Sequence, residues 1–166
     1  MKNIILVGFM GTGKTAVGKA LAKRLGLRFV DMDDIIEERE GMEISEIFEK
    51  KGERYFRHAE SKVARDISLQ SGLVVAAGGG AVIDEENVRN LKANGVMFCL
   101  VATPETIFSR TKGHTHRPLL NVSDPQEKIA ELMAKRAEYY ARADYRVDTG
   151  NLSVEGVADK IMELMK

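Results

Sequence analysis

Gly8-Phe9-Met10-Gly11-Thr12-Gly13-Lys14-Thr15 satisfies the pattern G-x-x-x-x-G-K-[ST] at every position. The glycines let the chain turn so that successive backbone N–H groups point inward, toward phosphate oxygens. A helix starting at Lys14 adds its partial positive charge at the same spot. Lys14 is placed to reach the terminal phosphates and to act in transfer, and the Thr15 hydroxyl is a candidate Mg²⁺ ligand. Gly11, Thr12, Gly13, Lys14, Thr15 and Ala16 are the candidate nucleotide-binding residues of this loop. The pattern carries weight because of its setting: an apolar run, 3–8, precedes it and a helical pattern, 14–25, follows. Phosphate loops also serve GTPase switches. Such a switch needs D-x-x-G, and no Asp here is followed three positions later by Gly. Its guanine motif [NT]-K-x-D is also lacking, because Thr111-Lys112-Gly113 leads into His114 instead of an acid.

Outward from the loop, short β-like runs alternate with longer helical patterns. That is the signature of a parallel sheet with crossover helices. Strands are expected over 3–8, 28–31, 73–77, 96–101 and 145–148. Helices are expected over 14–25, 85–94, 104–111, 125–142 and 154–165, with two or three more between Asp33 and Gln70, broken near Gly41 and Gly52. Pro104 and Pro125 fall where helices should begin, which suits proline at the first helical position. The polar stretch from Lys112 to Val122 has weak periodicity and reads as a mobile lid loop; its His114 and His116 read as solvated. The expected fold is therefore α/β, three layers around a five-stranded parallel sheet, in a single domain over 1–166. The region around 33–60 is the expected acceptor-binding helical part.

Composition narrows the functional class. The chain has 166 residues, 44% hydrophobic and 30% charged, as in globular proteins. Its 25 Lys and Arg balance 25 Asp and Glu, so no global basic field suggests nucleic-acid or anionic-membrane binding. No apolar run approaches the roughly 20 residues that span a bilayer. Ile4 to Met10 lacks the flanks of a secretory leader. The lone cysteine, Cys99, sits in the apolar run 96–101 and reads as a buried strand residue. The expectation is a cytoplasmic monomer acting on small molecules.

Three further groups bear on chemistry. Asp31-Met32-Asp33 follows the second strand, so its carboxylates stand at a strand's carboxyl end, where open α/β sheets bind ligands. A hydration shell of Mg²⁺ and an acceptor hydroxyl are the natural partners, and Asp34 reads as the cap of the following helix or a solvated neighbour. Gly78-Gly79-Gly80 suits neither helix nor strand and permits close backbone approach to a ligand. Arg57, Arg117 and Arg136 stand in the runs Phe56-Arg57, Arg117-Pro118-Leu119-Leu120 and Arg136 to Tyr140.

Taken in order, the phosphate loop, D-x-D, F-R, G-G-G, R-P-L-L and R-x-x-x-Y resemble the shikimate kinase family over nearly the whole length. The resemblance implies a kinase of the nucleoside-monophosphate-kinase type that moves the γ-phosphate of MgATP to the 3-hydroxyl of shikimate. By resemblance, Asp33 contacts the acceptor hydroxyls, either orienting them or taking a proton. Arg57 and Arg136 hold the acceptor carboxylate, and Gly78, Gly79 and Gly80 approach it through the backbone. Arg117 reaches the phosphates from the lid, and Asp31 with Thr15 serves Mg²⁺. Glu60 reads as the residue that positions Arg57. Some relatives carry an arginine after the final strand to stack on adenine. This chain has Asp148-Thr149-Gly150 there, which leaves Arg110 as a candidate cationic face for the base. The alternatives are another small-molecule kinase of this fold, such as a gluconate kinase-like enzyme, or a nucleotide-binding module without turnover.

Overall fold

The computed structural model describes residues 1–112 and 123–166. The lid expectation, with Arg117, His114 and His116, lies outside the described residues except for Lys112. Five strands form one parallel sheet: β1 (Asn3–Val7), β2 (Arg28–Asp31), β3 (Leu73–Ala76), β4 (Gly95–Val101) and β5 (Tyr145–Asp148). Their spatial order is β2-β3-β1-β4-β5. From β1 the chain crosses to the edge strand β2, returns to β3 beside β1, and then passes to β4 and β5 on the other side, so the switch point falls beside β1. There the phosphate loop emerges.

Burial explains which runs were legible. β1 and β3 are buried throughout and β4 nearly so, and they read as continuous apolar runs because helices cover both of their faces. The edge strands β2 and β5 are largely exposed or half-buried and carry charged residues. Alternation along β1 sends Ile5 and Val7 to one core and Ile4 and Leu6 to the other. The first core lies under α2 (Met32–Glu40), α3 (Ile44–Lys51), α4 (Glu53–Ser68) and α5 (Glu85–Ala93). The second lies under α1 (Lys14–Leu25) and α8 (Val154–Leu164). A smaller cluster joins Phe9 to Ile107 of α6 (Pro104–Thr111) and Ile129 of α7 (Pro125–Tyr140). Cys99 is buried in β4, and burial pushes its thiol up to about 11, as a packed and unreactive residue requires.

Three local readings are corrected. The cap of α2 is Asp31, not Asp34: the helix starts at Met32 and the Asp31 carboxylate accepts from Asp33 N–H at 2.8 Å. β2 ends at Asp31, as expected, and Asp33 is placed by the first turn of α2 instead of by strand alternation. Ala81–Ile83, unassigned in sequence, forms a 3-10 turn after the glycine triplet. α7 stops at Tyr140 rather than Arg142, because Arg142 instead donates to Val82 and Ile83 carbonyls at 2.7 and 3.1 Å.

Asn3 ties the start of β1 to the turn between α4 and β3. It is 1% exposed; its amide donates to Gln70 O at 2.9 Å, and its carbonyl accepts from Leu73 N–H at 2.9 Å. Removing it strands the buried Leu73 N–H, which costs about 1–3 kcal/mol. Asn3→Ala should lower stability by about 2 kcal/mol in urea unfolding. An unchanged midpoint would mean these bonds contribute nothing net.

Candidate active site

The phosphate loop owes its shape to three left-handed glycines. Gly8, Gly11 and Gly13 have φ of 138°, 78° and 99°. A Cβ on Gly8 would lie 2.4 Å from Leu100 O, so β4 leaves no room for any other residue there. Gly11 is similarly confined by the Thr111 methyl, 2.8 Å from where its Cβ would be. The Thr12 side chain is buried, donating to Phe9 O at 2.7 Å, so it braces the loop and leaves only its backbone for a ligand. Lys14 Nζ donates to the carbonyls of Gly8 and Phe9, the latter at 3.2 Å. Thr15 and Ala16 are exposed on the first turn of α1.

Asp31 and Asp33 both feel the Lys14 ammonium. One Asp31 oxygen caps α2, and the other lies 3.5 Å from Thr15 Oγ1. This oxygen-only pair is what a hard cation accepts, so the residues fit Mg²⁺. Among the described residues, no group of three or more His, Cys, Asp or Glu side chains could hold an ion unaided. A cation here would therefore draw on phosphate and water oxygens. Burial first, then Asp34, raises the Asp31 carboxyl. Asp33 is pushed further, to about 6, by burial and then by the Asp31 charge. Its Oδ1 is buried with no hydrogen-bond partner among the described residues.

The glycine triplet brings the rest together. A Cβ on Gly78 would lie 3.0 Å from both Asp33 Oδ1 and Glu60 Oε2. One on Gly79 would lie 3.4 Å from an Arg136 nitrogen, and one on Gly80 2.6 Å from both terminal nitrogens of Arg57. Successive glycines thus face two carboxylates, one guanidinium and another guanidinium. Phe9 of the phosphate loop lies beneath Arg136, with the guanidinium carbon 5.7 Å from the ring centroid; Phe56 lies likewise by Arg57 at 5.3 Å.

Some site residues were weakly legible in sequence or missed. Glu60 is 1% exposed and pairs with Arg57 at 3.0 Å, the contact that its positioning reading requires. Its second oxygen has no partner among the described residues, and burial outweighs Arg57 to push the carboxyl up to about 7. Tyr140, quoted in the R-x-x-x-Y run without a role, donates to Gly79 O at 2.6 Å and fixes the triplet. Its signal was the spacing: four residues after Arg136, it lies on the same helix face. Arg110 donates to Gly11 O at 3.0 Å and to Thr149 Oγ1 and O at 3.2 and 3.1 Å. It therefore bolts the phosphate loop to the β5–α8 turn, a contact between residues far apart in sequence. The described residues thus bring Lys14, Thr15, Asp31, Asp33, Arg57, Gly78–Gly80 and Arg136 to the carboxyl edge of the sheet. Arg117 lies outside them.

The chain is similar to proteins of known kind over almost its full length. The family model described as shikimate kinase matches residues 10–166. The shikimate kinase of Thermodesulfovibrio yellowstonii is 52% identical over 163 residues, 98% of this chain and 94% of that protein. That of Geobacter sulfurreducens is 48% identical, covering 99% and 91%. Among solved structures, shikimate kinase from Acinetobacter baumannii in complex with shikimate superposes with a TM-score of 0.95 at 39% identity, covering 99% and 93%. The Aquifex aeolicus shikimate kinase gives 0.82 at 34% identity, covering 98% and 95%. With a full-length family match and relatives far above 30% identity, this chain belongs to the shikimate kinase family.

Proposed function

We propose that this protein transfers the γ-phosphoryl group of ATP to the 3-hydroxyl of shikimate. The observation that carries the reading is the glycine triplet, which faces two guanidiniums and a buried carboxylate at once. A cyclic acceptor with hydroxyls at one end and a carboxylate at the other suits that wall. The Arg57 and Arg136 forks match the carboxylate. Asp33, with one oxygen lacking a partner among the described residues, accepts the hydroxyl's hydrogen bond and aims its oxygen at the γ-phosphorus.

In the reaction the acceptor oxygen–phosphorus bond forms as the bond to the β-phosphate's bridging oxygen breaks. The transition state is loose, so positioning and charge neutralisation dominate and the hydroxyl proton leaves late, toward Asp33. Lys14 and the loop N–H groups hold the β- and γ-phosphates. Thr15 and Asp31 are the residues that would hold Mg²⁺, which when bound neutralises phosphate charge. Arg117, by the family pattern, closes over the phosphates from the lid, and Arg110 stands beside the loop where the base would lie.

A coupled ADP-release assay with shikimate, gluconate and nucleoside monophosphates tests the acceptor. Turnover confined to shikimate is expected; turnover with gluconate alone would replace the reading.

Gly80→Ala offers a sharper test. The added methyl meets the far end of the Arg57 side chain, which must swing aside and loosen its pair with Glu60. The KM for shikimate should rise on the order of tenfold, about 1.4 kcal/mol of misplaced carboxylate contact. The KM for ATP should hold. A rise in both KM values would place Gly80 outside the acceptor site.

The acid pair sets the pH dependence. Asp33 must be ionised to accept from the hydroxyl, and Glu60 to pair with Arg57. Both carboxyls are raised, to about 6 and about 7. The value of kcat/KM for shikimate should therefore climb as pH rises through that interval and level above it, the two steps belonging to the coupled pair. Glu60→Gln should leave only the lower step. A flat profile from pH 5 to 8 in the parent would contradict this assignment.

A further inference from the structure

An open groove of about 710 Å³ runs along the outer face of α4 toward the start of α5. Its lining includes five cations, Lys51, Arg54, Arg57, Lys62 and Arg65, against two acids, Asp84 and Glu86. In a chain whose charges balance overall, that is a local concentration of positive charge. Arg54, Lys62 and Arg65 are exposed. Lys51 pairs with Glu40 at 3.3 Å, Arg57 with Glu60 at 3.0 Å and Arg65 with Glu86 at 3.4 Å, whereas among the described residues Arg54 and Lys62 have no ion pair. Arg54 also stands in the first turn of α4, where the helix's own positive end disfavours a cation. Helix stability does not account for that placement.

The groove has a direction. Arg57 belongs both to its lining and to the active site, since its guanidinium lies against Gly80 and pairs with Glu60. On the β2–α2 side of the same site Asp33 feels the negative charges of Asp31, Glu37 and Asp34, offset in part by Lys14. Cations predominate along α4, which favours that side for an approaching anion. No phosphate-loop residue lines the groove.

We propose that the α4 groove is the approach by which the anionic acceptor is drawn to the site, with Arg54 and Lys62 collecting its carboxylate and Arg57 receiving it. The inference rests on the acceptor reading above and adds to it a substrate-capture element for small carboxylates. Clefts lined by one sign of charge raise association rates by about tenfold or more, and salt abolishes the gain.

The test is the double variant Arg54→Glu/Lys62→Glu, with both changes at exposed positions. Shikimate and ATP are varied in turn at low ionic strength and again at about 0.5 M salt, where the screening length is only a few ångströms. At low salt, kcat/KM for shikimate should fall about fivefold or more, with kcat and the KM for ATP unchanged. At high salt the variant and parent should converge. The charge-conserving Arg54→Lys/Lys62→Arg should behave as the parent at both. Unchanged kcat/KM at low salt would overturn the proposal, as would a loss that salt does not remove, since that reports shape instead of field. Parent protein that turns over ATP with another acceptor and not with shikimate overturns the acceptor reading itself, and the capture role with it.

Discussion

The site depends on the absence of three side chains. At Gly78 and Gly80 the backbone passes so close to Asp33, Glu60 and Arg57 that a methyl group would press on them, and at Gly79 it would rest directly against Arg136. A protein interior can hold two carboxylates and two guanidiniums together only if their geometry is settled by something rigid. Here that is a bare backbone segment, held by the Tyr140 hydroxyl on Gly79 O and by the 3-10 turn that follows. The cost of removing side chains from a strand end is conformational entropy. The return is that one main-chain segment orders both halves of an acceptor site.

Around that segment the charges are deliberately unfinished. Among the described residues Asp33 Oδ1 and Glu60 Oε2 are buried acceptors without donors, and burial raises both carboxyls toward neutrality. An unsatisfied buried acceptor lowers the stability of the protein by itself, and a ligand hydroxyl repairs it. The fold thus retains a small strain that the proposed acceptor relieves. Lys14 tempers the arrangement from the other side, favouring the ionised forms of Asp31 and Asp33. A residue that holds phosphates in one proposed role therefore also keeps the neighbouring carboxylates charged.

Sheet topology is what makes these groups neighbours. Because all five strands run the same way, their carboxyl ends lie along one edge, and β1 and β3 are adjacent. The phosphate loop after β1 and the glycine triplet after β3 consequently stand side by side, although about seventy residues separate them in sequence. β2 adds Asp31 next to β3, and α7 returns across the edge to supply Arg136 and Tyr140. Arg110, bonded to Gly11 and Thr149, couples the loop to the far end of the sheet.

Much of this was legible in the chain of residues, for identifiable reasons. Continuous apolar runs marked β1, β3 and β4, because strands covered on both faces cannot afford polar residues. Pro104 and Pro125 marked helix starts through their restricted backbones, and Gly41 and Gly52 marked breaks between helices through their positive φ. The phosphate loop was legible because its chemistry is local: eight successive residues hold all of its geometry. Arg57 and Arg136 were singled out only by resemblance, since nothing in composition separates them from Arg54 or Lys135. The cap of α2 was misplaced because Asp31, Asp33 and Asp34 are equally good caps by type, and only the end of β2 selects among them. The sequence by itself thus determined the strands, the helices and the phosphate loop, where each residue's preference is expressed against its immediate neighbours. Tertiary structure alone decided that Gly78 faces Asp33 and Glu60, that Arg110 reaches Thr149, and that Arg57 joins the α4 groove to the site. Those are contacts across the edge of a folded sheet, and no residue's local preference encodes its partner there.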